Sequence, residues 1–137
     1  MILLDNTVLS NFAHVERPDL LRLALPDAHV TPQVMSELEN GVALGRLPDC
    51  DWQWLPTVEL SPREREHLAR LRLILDDGEA ACIVVALERG ATIFTDDRDA
   101  RRYAHRRGLP VSGTLGVLSL LIDARHLTVA EADAYLK

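Results

Sequence analysis

"LDDGEAACIVVALERGATIFTDDRDARR", residues 75–102, passes from helix to strand to helix with hardly a spare residue. Asp76 or Asp77 can cap the helix that contains GEAACIVVALER, and Gly90 can close it by taking up the left-handed conformation. ATIFT is the most strand-like stretch of the chain, short, apolar and β-branched. Two aspartates follow it at once, and DARRYAHRRG is helical again.

Working outward, the same alternation repeats. Ile2-Leu3-Leu4 reads as a buried strand ended by Asp5, with a helix over roughly 7–14. Pro18 opens a second helix at 18–25, and AHVTP (28–32) is a strand stopped by its proline. Pro32 starts the helix PQVMSELENG, which Gly41 can end. DWQWLPTVEL (51–60) is expected at a sheet edge, because Pro56 cannot donate a ladder hydrogen bond. Ser61 and Glu64 form a capping-box pattern for a helix running to about 73. After residue 108 come the short strand LPVSG, the apolar helix TLGVLSLLIDARH and the amphipathic TVAEADAYLK. Strands alternating with helices of this length predict an α/β fold, a parallel sheet with helices on both faces.

The 137 residues are expected to form one domain, with no repeats and no linker. Hydrophobic residues at 47% and charged ones at 26% exclude a disordered chain. No run reaches the length of a membrane span, and MILLDNTVLSNF lacks the basic start of a signal peptide. A soluble, cytoplasmic protein with no membrane partner is the expectation. Cys50 and Cys82 form no CxxC, and the five histidines show no ligand spacing, so zinc is not expected. Net charge of −6 argues against coating nucleic acid through bulk electrostatics. It leaves room for a local basic patch, and residues 98–107 hold five arginines against one aspartate.

Ligands of an open parallel sheet bind beyond the carboxyl ends of its strands. Asp5 follows the first strand, and Asp96 and Asp97 follow ATIFT, so both tips belong to that end. Glu79 lies in the first turn of its helix, and Glu37 within two turns of Pro32. Each has an ordinary alternative: Asp5 and Asp97 as helix caps, Glu37 as a solvated face, Glu79 as a complement to the helix dipole. Their shared position is the stronger signal. Crowded carboxylates repel unless a cation neutralises them, and all-oxygen ligands select Mg²⁺ or Mn²⁺. Such an ion would activate water toward a phosphodiester, with no protein nucleophile required. Arg98, Arg101, Arg102 and Arg106, with His105, could then grip a polynucleotide backbone or simply solvate the helix. Trp52 and Trp54 could stack bases, but packing against the core or a partner is the stronger reading.

"LLDNTVLSNF", "VTPQVMSELENG", "LDDGEAACIVVALERGATIFTDDRDARR" and "GLPVSGTLGVL" together resemble a PIN domain over nearly the whole chain. The resemblance implies a three-layer α/β/α fold with a central parallel sheet of about five strands. It also implies Mg²⁺- or Mn²⁺-dependent cleavage of RNA, as in VapC-like toxins of toxin–antitoxin pairs, with a cognate antitoxin as partner. By motif, the catalytic and metal-holding acids are Asp5, Glu37, Glu79 and Asp97, with Asp96 as a backup ligand. Asn6, Thr7 and Thr95 stand where side chains orient those acids. GTLGVL resembles a less characterised branch of the family.

The expected function is therefore a metal-dependent ribonuclease. A homodimer is also expected, since a short domain with so much apolar helix can bury it against a copy. Two rivals stay open: a PIN-like module that binds nucleic acid or protein without hydrolysis, and an aspartyl-phosphate enzyme acting through Asp5.

Overall fold

A computed structural model describes residues 1–137. The chain runs β1 (Ile2–Leu4), α1 (Asn6–His14), α2 (Pro18–Ala24), β2 (Ala28–His29), α3 (Pro32–Ala43), α4 (Pro62–Leu71), α5 (Asp77–Arg89), β3 (Thr92–Phe94), α6 (Arg98–Arg106), β4 (Val111–Ser112), α7 (Thr114–Asp123) and α8 (Val129–Leu136). All strand pairs are parallel, in the order β2-β1-β3-β4.

Right-handed crossovers place the helices. The β1-to-β2 connection puts α1 and α2 on one face, where α7 packs on α2 and α8 on α7. The β2-to-β3 and β3-to-β4 connections put α3, α4, α5 and α6 on the other. Helix α5 lies at the centre of that second layer, against β1, β3, α3, α4 and α6, and is buried from Ala80 to Ala86. One continuous apolar cluster includes Leu20 and Leu121 from one face and Val34 and Ile83 from the other. No helix is long and apolar enough to cross a membrane.

The sheet has four strands rather than five. The 51–60 stretch forms only an isolated bridge, Thr57 to Val30, through Val30 N–H to the Pro56 carbonyl (3.0 Å) and Val58 N–H to the Val30 carbonyl (2.8 Å). Its would-be partner turns into α3 at Pro32, and Pro56 has no N–H, so the ladder cannot propagate in either direction. Gly41 does not end α3. The helix continues to Ala43, with the Leu47 side chain folded over the space a Cβ would fill, and Gly45 takes the left-handed turn at φ 73°.

The caps follow the sequence closely. Thr31, Ser61, Asp76, Asp97 and Thr128 each accept a hydrogen bond from their own helix's third residue, and Ser61 and Thr128 close full capping boxes. Three of these caps, Thr31, Asp76 and Asp97, sit at the carboxyl end of the sheet, and the last two are acids.

Candidate active site at the strand ends

The site is built around Asp5. Its N–H donates to the Phe94 carbonyl (2.9 Å), which carries the β1–β3 pairing one residue past the strand and sets Asp5 beside Thr95. Although Asp5 precedes α1, its side chain does not cap that helix. It is 3% exposed, and its Oδ2 accepts from the hydroxyls of Thr95 (2.7 Å) and Thr7 (3.1 Å). Those hydroxyls accept in turn from the backbone: Asp97 N–H donates to Thr95 Oγ1 (3.1 Å) and Asp96 N–H to Thr7 Oγ1 (2.9 Å). Amide to hydroxyl to carboxylate is a consistent polarity, and it aims Asp5 through two rigid β-branched side chains. Burial raises the Asp5 pKa; the hydrogen bonds from Thr95, the Asn6 amide and Thr7 oppose it, and nearby Asp76 adds to the rise.

The N-terminus of α5 brings the other acids. Asp76 caps the helix, Oδ1 accepting from Glu79 N–H (2.9 Å). Glu37 reaches across from α3 to the N–H of Gly78, so closely that a Cβ at position 78 would collide with its carboxylate. Any larger residue there would displace the Glu37 carboxylate from this position. The Glu79 carboxyl lies beside those of Asp97 and Asp76. Asp97 also caps α6, accepting from Ala100 N–H (2.9 Å).

These groups share one electrostatic field. Burial, then Asp76 and Asp5, push Glu37 up to about 7. Burial, then Asp76 and Asp97, push Glu79 up to about 8. Beneath them Cys82 is fully enclosed, and burial holds its thiol well above the usual range, so it offers no thiolate. Asp76 was read from the sequence only as a cap. Its influence on Asp5, Glu37 and Glu79 makes it a fifth member of the cluster.

By donor chemistry the cluster suits a hard divalent cation: every ligand is a carboxylate, and crowding penalises their joint ionisation. As they stand, no three side chains are arranged to hold a metal ion. Glu79 lies between Asp76 and Asp97, and the charge of both carboxylates opposes its ionisation.

Other candidate residues lie elsewhere. Asp96 points away from the cluster, accepting from Thr114 N–H (2.8 Å), the Thr114 hydroxyl and Asn11 Nδ2 (2.8 Å). It ties the start of α7 and the flank of α1 to the β3 tip, so the residue expected as a backup ligand is engaged outside the cluster. The Asn6 side chain does not touch Asp5. It accepts from Ser10 Oγ (3.3 Å) and lines a cleft between α1 and α3. Arg101 donates to the Thr95 carbonyl (2.9 Å) and braces the site's backbone. Arg98, Arg102 and Arg106 are exposed, form no ion pair, and lie at four-residue steps along the face of α6 opposite buried Ala100 and Ala104. The helix leads away from the cluster, so Arg106 is ~12 Å further along the axis than Arg98. Trp52 and Trp54 sit in a turn with centroids 6.1 Å apart, half-buried against the core.

Comparison with known proteins agrees with this architecture. A family model described as a PIN domain matches residues 1–137. Among solved structures, PAE2754 from Pyrobaculum aerophilum superposes with a TM-score of 0.64 at 18% identity, covering 87% of this chain and 95% of that one. VapBC2 from Rickettsia felis, bound to a DNA fragment from its promoter, gives 0.57 at 15% identity, covering 82% and 98%. Curated proteins give no significant match. The strand-end acids thus stand on a fold seen in both neighbours, and the chain belongs to the PIN-domain family.

Proposed function

We propose that this protein is a Mg²⁺- or Mn²⁺-dependent ribonuclease that hydrolyses RNA phosphodiester bonds. The observation that carries the reading is the convergence of Asp5, Glu37, Asp76, Glu79 and Asp97 in one field at the carboxyl end of the sheet. Asp5, Glu37, Glu79 and Asp97 would hold the cation, with Asp76 rather than Asp96 as the additional acid. The cation supplies Lewis-acid activation of water and neutralises charge developing on the phosphate. The chain does the rest. Thr7 and Thr95 fix the Asp5 carboxylate, Arg101 fixes the backbone that carries Thr95, and Arg98 at the head of α6 offers positive charge to the RNA backbone. An aspartyl-phosphate enzyme is disfavoured because Asp5 is 3% exposed and committed to two hydroxyls.

The likeness to VapBC2 supports a place in a toxin–antitoxin pair, with a small cognate antitoxin as partner; a cytoplasmic location and a homodimer as the working unit belong to the same proposal. The exposed Leu115 and Leu120 of α7 are apolar surface available to such a dimer.

The test is cleavage of a fluorophore-quenched RNA with Mn²⁺ present or chelated. Mn²⁺-dependent cleavage that collapses in Asp5→Asn is expected; equal rates for the variant and the parent defeat the proposal. The spacing of the acids, with no three side chains set around one point, favours one competing reading, a non-hydrolytic binding module. Calorimetry showing no Mn²⁺ uptake at pH 8 would select it.

A further inference from the structure

Beside the acids lies a cleft that the mechanism leaves unused. Asn6, Ser10 and His14 recur every four residues and form one stripe of α1; Glu37, Asn40, Gly41 and Leu44 recur at helical spacing and form one stripe of α3. The two helices pack together, and the stripes enclose a cavity of about 330 Å³ that Arg46 and Leu47 complete. Gly41, covered by Leu47, keeps the α3 side low. The cleft runs directly into the acid cluster, because Glu37 lines both.

We infer that this cleft is a nucleobase subsite, holding one unstacked base of single-stranded RNA next to the phosphate presented to the acids. The inference rests on the ribonuclease reading for the identity of the polymer, but its chemistry is its own. Its volume lies at the lower end of ligand cavities, enough for one base-sized group and too small for a folded segment. Asn6 and Asn40 are amides that both donate and accept, and Ser10 adds a hydroxyl, the functional groups that read a Watson–Crick edge. Arg46 and His14 are planar groups on which a base can stack, and Leu44 and Leu47 add apolar surface to the lining. Glu37 is the only anion in the lining, so a second cation site is not what the cleft offers. A protein side chain is the competing occupant, and it would show no dependence on base identity.

The experiment uses the full chain with chelator, so that RNA is bound and not cut. Four 5′-labelled RNA hexamers, identical except for the base at one central position, are titrated by fluorescence anisotropy. One base is expected to bind about 10-fold more tightly than the weakest, the discrimination of a single good hydrogen-bonded edge. Asn40→Ala, at an exposed helix position where alanine is well tolerated, should bring the favoured hexamer to the level of the others; Ser10→Ala should reduce the preference in part. Equal affinity for all four bases, or a preference that survives both substitutions in variants with parental circular dichroism, overturns the subsite. Base preference without Mn²⁺-dependent cleavage would sink the ribonuclease reading and leave the subsite standing; cleavage without preference would do the reverse.

Discussion

At the residue scale, Asp5 depends on the two hydroxyls that aim it. Thr95 is 1% exposed and donates the shorter hydrogen bond to the carboxylate. Thr95→Val keeps the shape and removes the donor, so the Mn²⁺-dependent rate is expected to fall roughly 10–100-fold, the usual cost of losing a group that orients a ligand. A Thr95→Ser rescue, measured by single-turnover cleavage, should recover most of the rate; an unimpaired valine variant would show that the hydroxyl is idle. The sequence could nominate Asp5 because it follows a strand tip, whereas Thr7 and Thr95 were marked only by the motif resemblance. It could not separate Asp96 from Asp97. They are neighbours on one extended turn, and only the position of α7, set by packing far along the chain, turns the first outward and leaves the second facing Glu79. Asp76 was hidden for another reason: helix capping fully accounts for an aspartate before a helix, and its second role exists only once Glu37 and Asp5 arrive from elsewhere.

At the element scale, α5 must be held still, since Asp76, Gly78 and Glu79 all sit at its head. Its tail is fixed by Arg89, which donates to both carboxylate oxygens of Glu64 (2.9 and 2.7 Å) and to the Glu59 carbonyl (2.7 Å). Glu64 also closes the α4 capping box through Ser61 N–H (2.8 Å). Glu64→Gln is expected to cost about 2 kcal/mol, read as a lower urea midpoint at unchanged slope. The figure falls below the full cost of breaking a buried pair because Arg89 is 32% exposed and can hydrate. The capping box was readable as Ser-x-x-Glu, whereas the partner 25 residues away was not, because nothing local marks it. The opposite held for 51–60, where local alternation promised a strand that the turn at Pro32 prevents. For α6, if Arg98, Arg102 and Arg106 track a single RNA strand, removing each should lessen the salt dependence of binding by ~0.7 in log–log slope. Charge removal at exposed Arg22 on α2 should leave the slope unchanged, and an equal effect there would reduce the stripe to bulk electrostatics.

At the scale of the whole molecule, the convergence of acids was legible as topology: parallel strands whose ends share one edge gather whatever follows them. What topology does not specify is how much that gathering strains the fold, and here the titration of the cluster is decisive. Glu37 and Glu79 have folded-state pKa values near 7 and 8, above the ordinary 4.5 they regain on unfolding. Below pH 4.5 both are protonated in either state, and their contribution to stability is fully present. As pH rises from 4.5 toward 8, the unfolded chain has released protons that the folded chain still holds, so stability falls with pH. Glu64 acts in the opposite sense. Arg89 lowers its pKa, so its contribution is intact above 4.5 and is lost only as the medium becomes more acid. The interval from pH 5 to 8 therefore isolates the cluster. In chelator, the Tm should decline by a few degrees across that interval, and Glu79→Gln should flatten the decline. Saturating Mn²⁺ should raise the Tm more at pH 8, where the carboxylates are free to bind it, than at pH 5, where protons compete. A chelated protein whose Tm is level from pH 5 to 8 would mean that these carboxyls do not crowd one another, and the electrostatic case for a cation would go with them.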